Sequence, residues 1–117
     1  MRTQLHPDAL APTLECIGSV AELNDALAIV AASYELNATR LLLRDKQLPA
    51  EFFDLKTRFA GEFIQKLVNY RIAVACVFDD SASVGERFRE YIEEAKRGRR
   101  FRSFDNESAA VAWLEEQ

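Results

Sequence analysis

Residues 49–70, PAEFFDLKTRFAGEFIQKLVNY, followed by residues 72–78, IAVACVF, decide how this chain folds. At 100° per residue, Phe59, Ala60, Phe63, Ile64, Leu67, Val68 and Tyr70 share one half of a helical wheel, with Arg58, Glu62, Gln65, Lys66 and Asn69 opposite. The spacing predicts a helix with half its surface buried. The beginning fits that wheel poorly, because Phe52, Phe53 and Leu55 widen the apolar arc while Lys56 drops a charge inside it, so a short first turn and then a new start are expected. Pro49 suits the first turn, and Asp54 or Thr57 can cap the main helix by accepting backbone N–H bonds. Gly61 costs about 1 kcal/mol of helix propensity relative to Ala, and close packing of a neighbouring backbone is its expected reason. IAVACVF is apolar on both faces and rich in β-branched and aromatic residues, the pattern of a buried strand.

Upstream, TRLLL at residues 39–43 reads as a second strand buried on both faces and central in a sheet. Before it, Ser19-Val20-Ala21-Glu22 has the capping-box pattern, and a helix is expected over residues 20–34 that buries Val20, Leu23, Leu27, Val30, Ala31 and Tyr34, with Asn37 as a left-handed stop. Residues 13–17 form a short strand, placed at a sheet edge because Pro12 removes a ladder donor. Residues 1–10, with Pro7 and no periodicity, are expected to be a loose lead-in.

Downstream, Asp79-Asp80-Ser81 makes a turn, and a second capping box, Ser83-Val84-Gly85-Glu86, opens a helix with an apolar stripe of Val84, Phe88, Tyr91, Ile92 and Ala95. Glu93 and Arg97 have the order of a surface ion pair, and Gly98 is the expected stop. Residues 100–104 alternate Arg with Phe or Ser, as in a half-exposed edge strand. Asp105 or Asn106 caps a last helix over residues 107–115 that buries Ala110, Trp113 and Leu114. The alternation of strand and helix predicts an α/β fold: a mostly parallel sheet of four strands, or five, covered by about four helices in one domain.

At 117 residues, 49% hydrophobic and 29% charged, the chain can bury a core without disulfides or metals. A formal net charge of −4 makes nucleic acid and anionic membrane unexpected partners. The longest unbroken apolar run covers residues 26–32, short of the roughly 18 needed to span a bilayer. The N-terminus has no apolar core of a secretory signal, and Cys16 and Cys76 have no CxxC spacing, so a reducing cytoplasm is expected.

The strings Phe52-Phe53-Asp54-Leu55-Lys56-Thr57, Ala60-Gly61-Glu62, Gln65-Lys66 and Asn69-Tyr70-Arg71 resemble the bacterial family called domain of unknown function 4180, and residues 96–101 with Gly98-Arg99 look like that family's ending. The resemblance covers residues 20–117 and implies no established activity. The family's N-terminal part is longer, which implies that a first hairpin is trimmed here. The order of elements, and Ala112-Trp113-Leu114, are also similar to the SpoIIAA-like, or STAS, fold. Anti-sigma-factor antagonists of that fold carry a phosphorylated Ser or Thr beside an Asp where a helix follows a central strand. Asp54-Leu55-Lys56-Thr57 holds a comparable place but departs from the usual Asp-Ser-Ser-Gly pattern, so the resemblance makes Thr57 a candidate phosphosite.

In a parallel sheet, ligands bind beyond the carboxyl ends of the strands, where Arg44, Asp45, Asp54, Lys56, Thr57, Asp79, Asp80 and Ser81 should gather. Asp54, Lys56 and Thr57 could receive a small anionic ligand at a helix N-terminus; otherwise Asp54 caps and Lys56 lays its stem over Phe52 or Phe59. The run Lys96-Arg97-Gly98-Arg99-Arg100-Phe101-Arg102 offers Arg99 and Arg100 to phosphate, or else answers a helix dipole and guards an edge strand. His6, the one histidine, is expected outside any catalytic set, and no metal or cofactor site is expected. These features predict a non-enzymatic interaction or regulatory module that self-associates as a dimer or binds another protein. The alternative is a domain for an anionic or amphipathic small molecule near residues 54–57.

Overall fold

In the computed structural model, which describes residues 1–79 and 84–117, the stretch 49–70 folds in three pieces. Two 3-10 turns, Ala50–Phe53 and Leu55–Thr57, precede the helix Phe59–Asn69. Arg58 separates them, with a φ of +63° in the left-handed region. No right-handed helix runs through such a residue, so the new start expected near residue 57 has a backbone cause.

The regular elements in chain order are β1 (Arg2–Leu5), β2 (Leu14–Ile17), α1 (Asp25–Leu36), β3 (Arg40–Arg44), α2 (Phe59–Asn69), β4 (Ala73–Val77), α3 (Glu86–Ala95), β5 (Phe101–Phe104) and α4 (Glu107–Glu115). The five strands lie in the order β1-β2-β3-β4-β5. β1 is antiparallel to β2, and the pairs β2–β3, β3–β4 and β4–β5 are parallel. Side chains alternate across the pleat. Leu41, Leu43, Val74 and Cys76 therefore join Ala26 and Ile29 of α1, Phe63 and Leu67 of α2, and Phe88 and Ile92 of α3 in the larger core. Leu42, Ala73, Ala75 and Val77 face the other way and pack on Ala110 and Leu114 of α4.

Several expectations are corrected. Residues 1–10 are not a loose lead-in, since Arg2 to Leu5 pair in register with Ile17 to Leu14. The hairpin thought trimmed is present, and β2 lies inside the sheet between β1 and β3. The Ser19–Glu22 capping box does not form. Instead the backbone N–H of Val20 donates to Gln47 O at 2.7 Å, and Asp25 Oδ2 accepts from Ala21 and Glu22 at 2.7 and 3.1 Å, so α1 opens five residues late.

Val20 and Val30 are buried as expected, but the rest of the face that α1 turns to the sheet differs. Ala26, Ile29, Val30, Ala32 and Ser33 are buried, whereas Leu27 and Tyr34 are 46% and 77% exposed. At the far end Asn37 is left-handed as expected, its N–H donating to Ser33 and Tyr34 carbonyls.

The Ser83–Glu86 capping box and the Asp79-Asp80-Ser81 turn involve residues outside those described. α3 buries Phe88 and Ile92. It ends at Ala95 and is followed by a 3-10 turn, Lys96–Gly98, after which Arg99 rather than Gly98 takes the left-handed φ of +67°; the surface pairs are Glu93–Lys96 and Glu94–Arg97 rather than Glu93–Arg97. Gly61 is not closely packed either, because a Cβ there would meet Tyr91 Oη at 3.7 Å, an ordinary contact.

Candidate functional site

The residues expected at a site fall into two groups that do not meet. Asp54, Lys56 and Thr57 lie in the crossover from β3 to α2, at the carboxyl end of β3, and all three are exposed. Asp54 Oδ1 accepts from the Lys56 backbone N–H at 3.1 Å. Thr57 Oγ1 lies 2.6 Å from Glu51 O and 2.7 Å from Asp54 O, to which it donates, and accepts from Phe59 N–H at 3.1 Å. Their polar atoms thus tie the two 3-10 turns to the start of α2. Arg99 and Arg100 precede β5, at the amino end of the parallel strands. Both are exposed, and Arg100 Nη1 stands 3.5 Å from Arg71 O. Further along the basic run, Arg102 lies over the Phe104 ring at 5.9 Å.

Arg44, Glu15, Glu107 and His6 form the densest polar cluster among the described residues. Arg44 closes β3 on the α4 side of the sheet; Glu15 sits beside it on β2, and Glu107 opens α4. Arg44 Nη2 reaches Glu15 Oε1 at 3.1 Å and Glu107 Oε1 at 2.6 Å, and Arg44 Nε donates to Glu107 Oε1 at 2.8 Å. Gln4 on β1 donates to the other Glu15 oxygen at 2.8 Å. His6 is buried, contrary to its expected place in a loose lead-in, with Nε2 3.0 Å from Glu107 Oε2. Its Nδ1 accepts from Asp8 N–H at 3.1 Å, so the tautomer that satisfies both bonds is the one protonated on Nε2.

Both imidazole nitrogens are thereby occupied. A neighbouring hollow of about 430 Å³ includes His6, Asp8, Glu107 and Ser108, but His6 has no vacant lone pair with which to activate the Ser108 hydroxyl. Bonds from His6 and then Arg44 hold the Glu107 carboxyl below its ordinary range. The cluster latches the β1–β2 hairpin and β3 to α4. Among the described residues, no group of three His, Cys, Asp or Glu side chains could hold a metal ion, and no helix is long and apolar enough to cross a membrane.

The outer side of α1 is an exposed apolar surface. Residues 26–34 carry no charge. Leu27, Ala31 and Tyr34 line one stripe of the helix, Leu23 precedes it, and all four are exposed. Beside it runs a groove of about 650 Å³ between the start of α1 and α2, lined by Leu23, Asn24, Gly61, Gln65, Lys66 and Asn69 among others. Sequence periodicity assigned Leu23, Leu27, Ala31 and Tyr34 to the core together with Val20 and Val30, and only the last two are buried. The wheel found the apolar residues, but it could not tell two apolar faces apart.

No curated protein and no solved structure matches this chain. The family described as Domain of unknown function (DUF4180) matches over residues 13–114, most of the chain's length, and the chain belongs to that family.

Proposed function

We propose that this chain is a non-enzymatic interaction module on a SpoIIAA-like scaffold that self-associates through the outer face of α1. One observation carries the reading: α1 is apolar nearly all round, yet the sheet covers only one side of it. A helix with that composition is normally buried on every side. Here Leu27 and Tyr34 stand 46% and 77% exposed, and Ala28 and Ala31 between them are exposed as well. Contiguous apolar surface of this kind marks interaction sites. The scaffold reading is supported by the alternation of strand and helix after the β1–β2 hairpin, and a cytoplasmic location by two free, buried cysteines.

The small-molecule alternative near residues 54–57 draws less support. Phe52 is fully buried against the rings of Phe53, Phe59 and Phe88, and the Asp54 and Lys56 side chains form no ion pair among the described residues. The test is sedimentation velocity of wild type against Leu27→Lys. Wild type should sediment as a dimer at micromolar concentration, and Leu27→Lys as a monomer with unchanged circular dichroism. Identical association of the two proteins would show that the α1 face is not the contact.

A further inference from the structure

β5 ends the sheet, and among the described residues no strand pairs with its outer side. The Val74 N–H donates to Arg100 O at 2.7 Å and the Phe78 N–H to Phe104 O at 2.9 Å, so the even-numbered residues here turn their backbone groups toward β4. Successive residues of a strand turn theirs to opposite sides, which leaves the N–H and C=O of Phe101 and Ser103 directed outward. Donors and acceptors at strand spacing are matched by the main chain of another extended segment.

A hollow of about 340 Å³ lies beside that edge, between α3 and the carboxyl end of β5, lined by the buried Phe78, Phe88 and Ile92. Ser103 borders it and shares with Phe101 the α3 side of the sheet. Arg89, Glu93 and Asp105 complete its polar lining with mixed sign, so the hollow suits an apolar side chain and favours no charge. The other side of β5 does favour one. Arg102 projects there, exposed and 5.9 Å from the centre of the Phe104 ring, and takes part in no ion pair among the described residues. Arg99 and Arg100, also exposed, precede the strand. Like charges set opposite one another across strands are destabilising, and a second copy's β5 would bring this cationic run onto its own equivalent. An acidic strand meets no such repulsion. We infer that β5 accepts an extended acidic segment of another protein as an added strand, with an apolar side chain across from Ser103 entering the hollow and an adjacent Asp or Glu, carried by the pleat to the other side, meeting Arg102. This contact lies on other elements than α1 and does not depend on self-association.

The probe is a fluorescein-labelled peptide, Glu-Val-Glu-Phe-Glu-Val-Glu, which as a strand puts its apolar side chains on one side and its carboxylates on the other. Titrated with the full chain and read by fluorescence anisotropy, it should bind with a micromolar dissociation constant. Replacing every Glu of the peptide by Lys, or Arg102→Glu in the protein, should weaken binding about tenfold or more. Ser103→Pro removes an outward N–H at an edge position where proline is tolerated, and should abolish binding with unchanged circular dichroism. Two peptides N-methylated on alternate amides test the pairing with the protein unaltered: the set facing β5 should lose binding, and the set facing away should keep it within a few fold. No binding of the acidic peptide up to millimolar protein, equal binding of the lysine peptide, or the same response to both N-methylated sets overturns the inference.

Discussion

His6 and Glu107 stand 101 residues apart in sequence and 3.0 Å apart in the fold, Nε2 of one against Oε2 of the other. Through Arg44, the same carboxylate also reaches Glu15. One side chain at the start of α4 thus fastens three strands' worth of chain to the helix that covers them.

That arrangement gives stability an acid dependence. The Glu107 carboxyl is held below its ordinary value of 4.5, first by the bond from His6 and then by Arg44. A carboxylate whose pKa is lower folded than unfolded adds stability that is complete above its ordinary pKa and fades as pH falls through the lowered one. The melting temperature should therefore decline as pH drops below 4.5, and Glu107→Gln should flatten that part of the profile. Parallel pH profiles for the two proteins would remove Glu107 from the acid transition.

Phe52 and Lys56, four residues apart, should behave oppositely. Phe52 is fully buried among Phe53, Phe59 and Phe88, so Phe52→Ala should cost about 3–5 kcal/mol in urea unfolding. Lys56 is exposed and its side chain makes no hydrogen bond or ion pair among the described residues, so Lys56→Ala should change stability by less than about 0.5 kcal/mol. A large loss for Lys56→Ala would mean that its side chain supports the fold in a way its exposure does not reveal.

Gly61 lies in the first turn of α2 with room for a methyl group, 3.7 Å from Tyr91 Oη. Gly61→Ala should raise stability by about 0.5–1 kcal/mol through helix propensity. A lower urea midpoint would revive the close-packing account that the geometry removes.

Cys16 and Cys76 should be inert in the folded chain. Burial pushes the Cys16 thiol up to about 11 and the Cys76 thiol well above its usual range, and neither presents a thiolate to solvent at neutral pH. Ellman's reagent should label both only after denaturation; rapid labelling of native protein would show that β2 or β4 opens readily.

What the sequence discloses depends on how local each signal is. TRLLL and IAVACVF are legible as inner strands because both their faces are apolar, and the stripe of α2 is legible because its other face is charged. α1 offers no such contrast: residues 26–34 are apolar or small around the whole helix, so periodicity selects Leu27 and Tyr34 when the sheet selects Ala26, Ile29 and Ser33. β1 leaves little pattern because it is a largely exposed edge, with Leu5 44% accessible. The latch is a long-range arrangement, and its trace was small: Glu15, a lone carboxylate in the apolar run of β2, needs a cation, and Arg44 at the end of β3 supplies it. The loop at residues 54–57 drew attention through its polar residues, which turn out to bond chiefly to their own backbone.

The mass of the particle that the wild-type chain forms in solution tests self-association through α1 most directly. Light scattering on purified protein at micromolar concentration should give twice the 13.3 kDa of one chain, shifting toward a single chain only on strong dilution. A mass of 13.3 kDa throughout the micromolar range would contradict it, leaving the apolar face of α1 without the partner proposed for it.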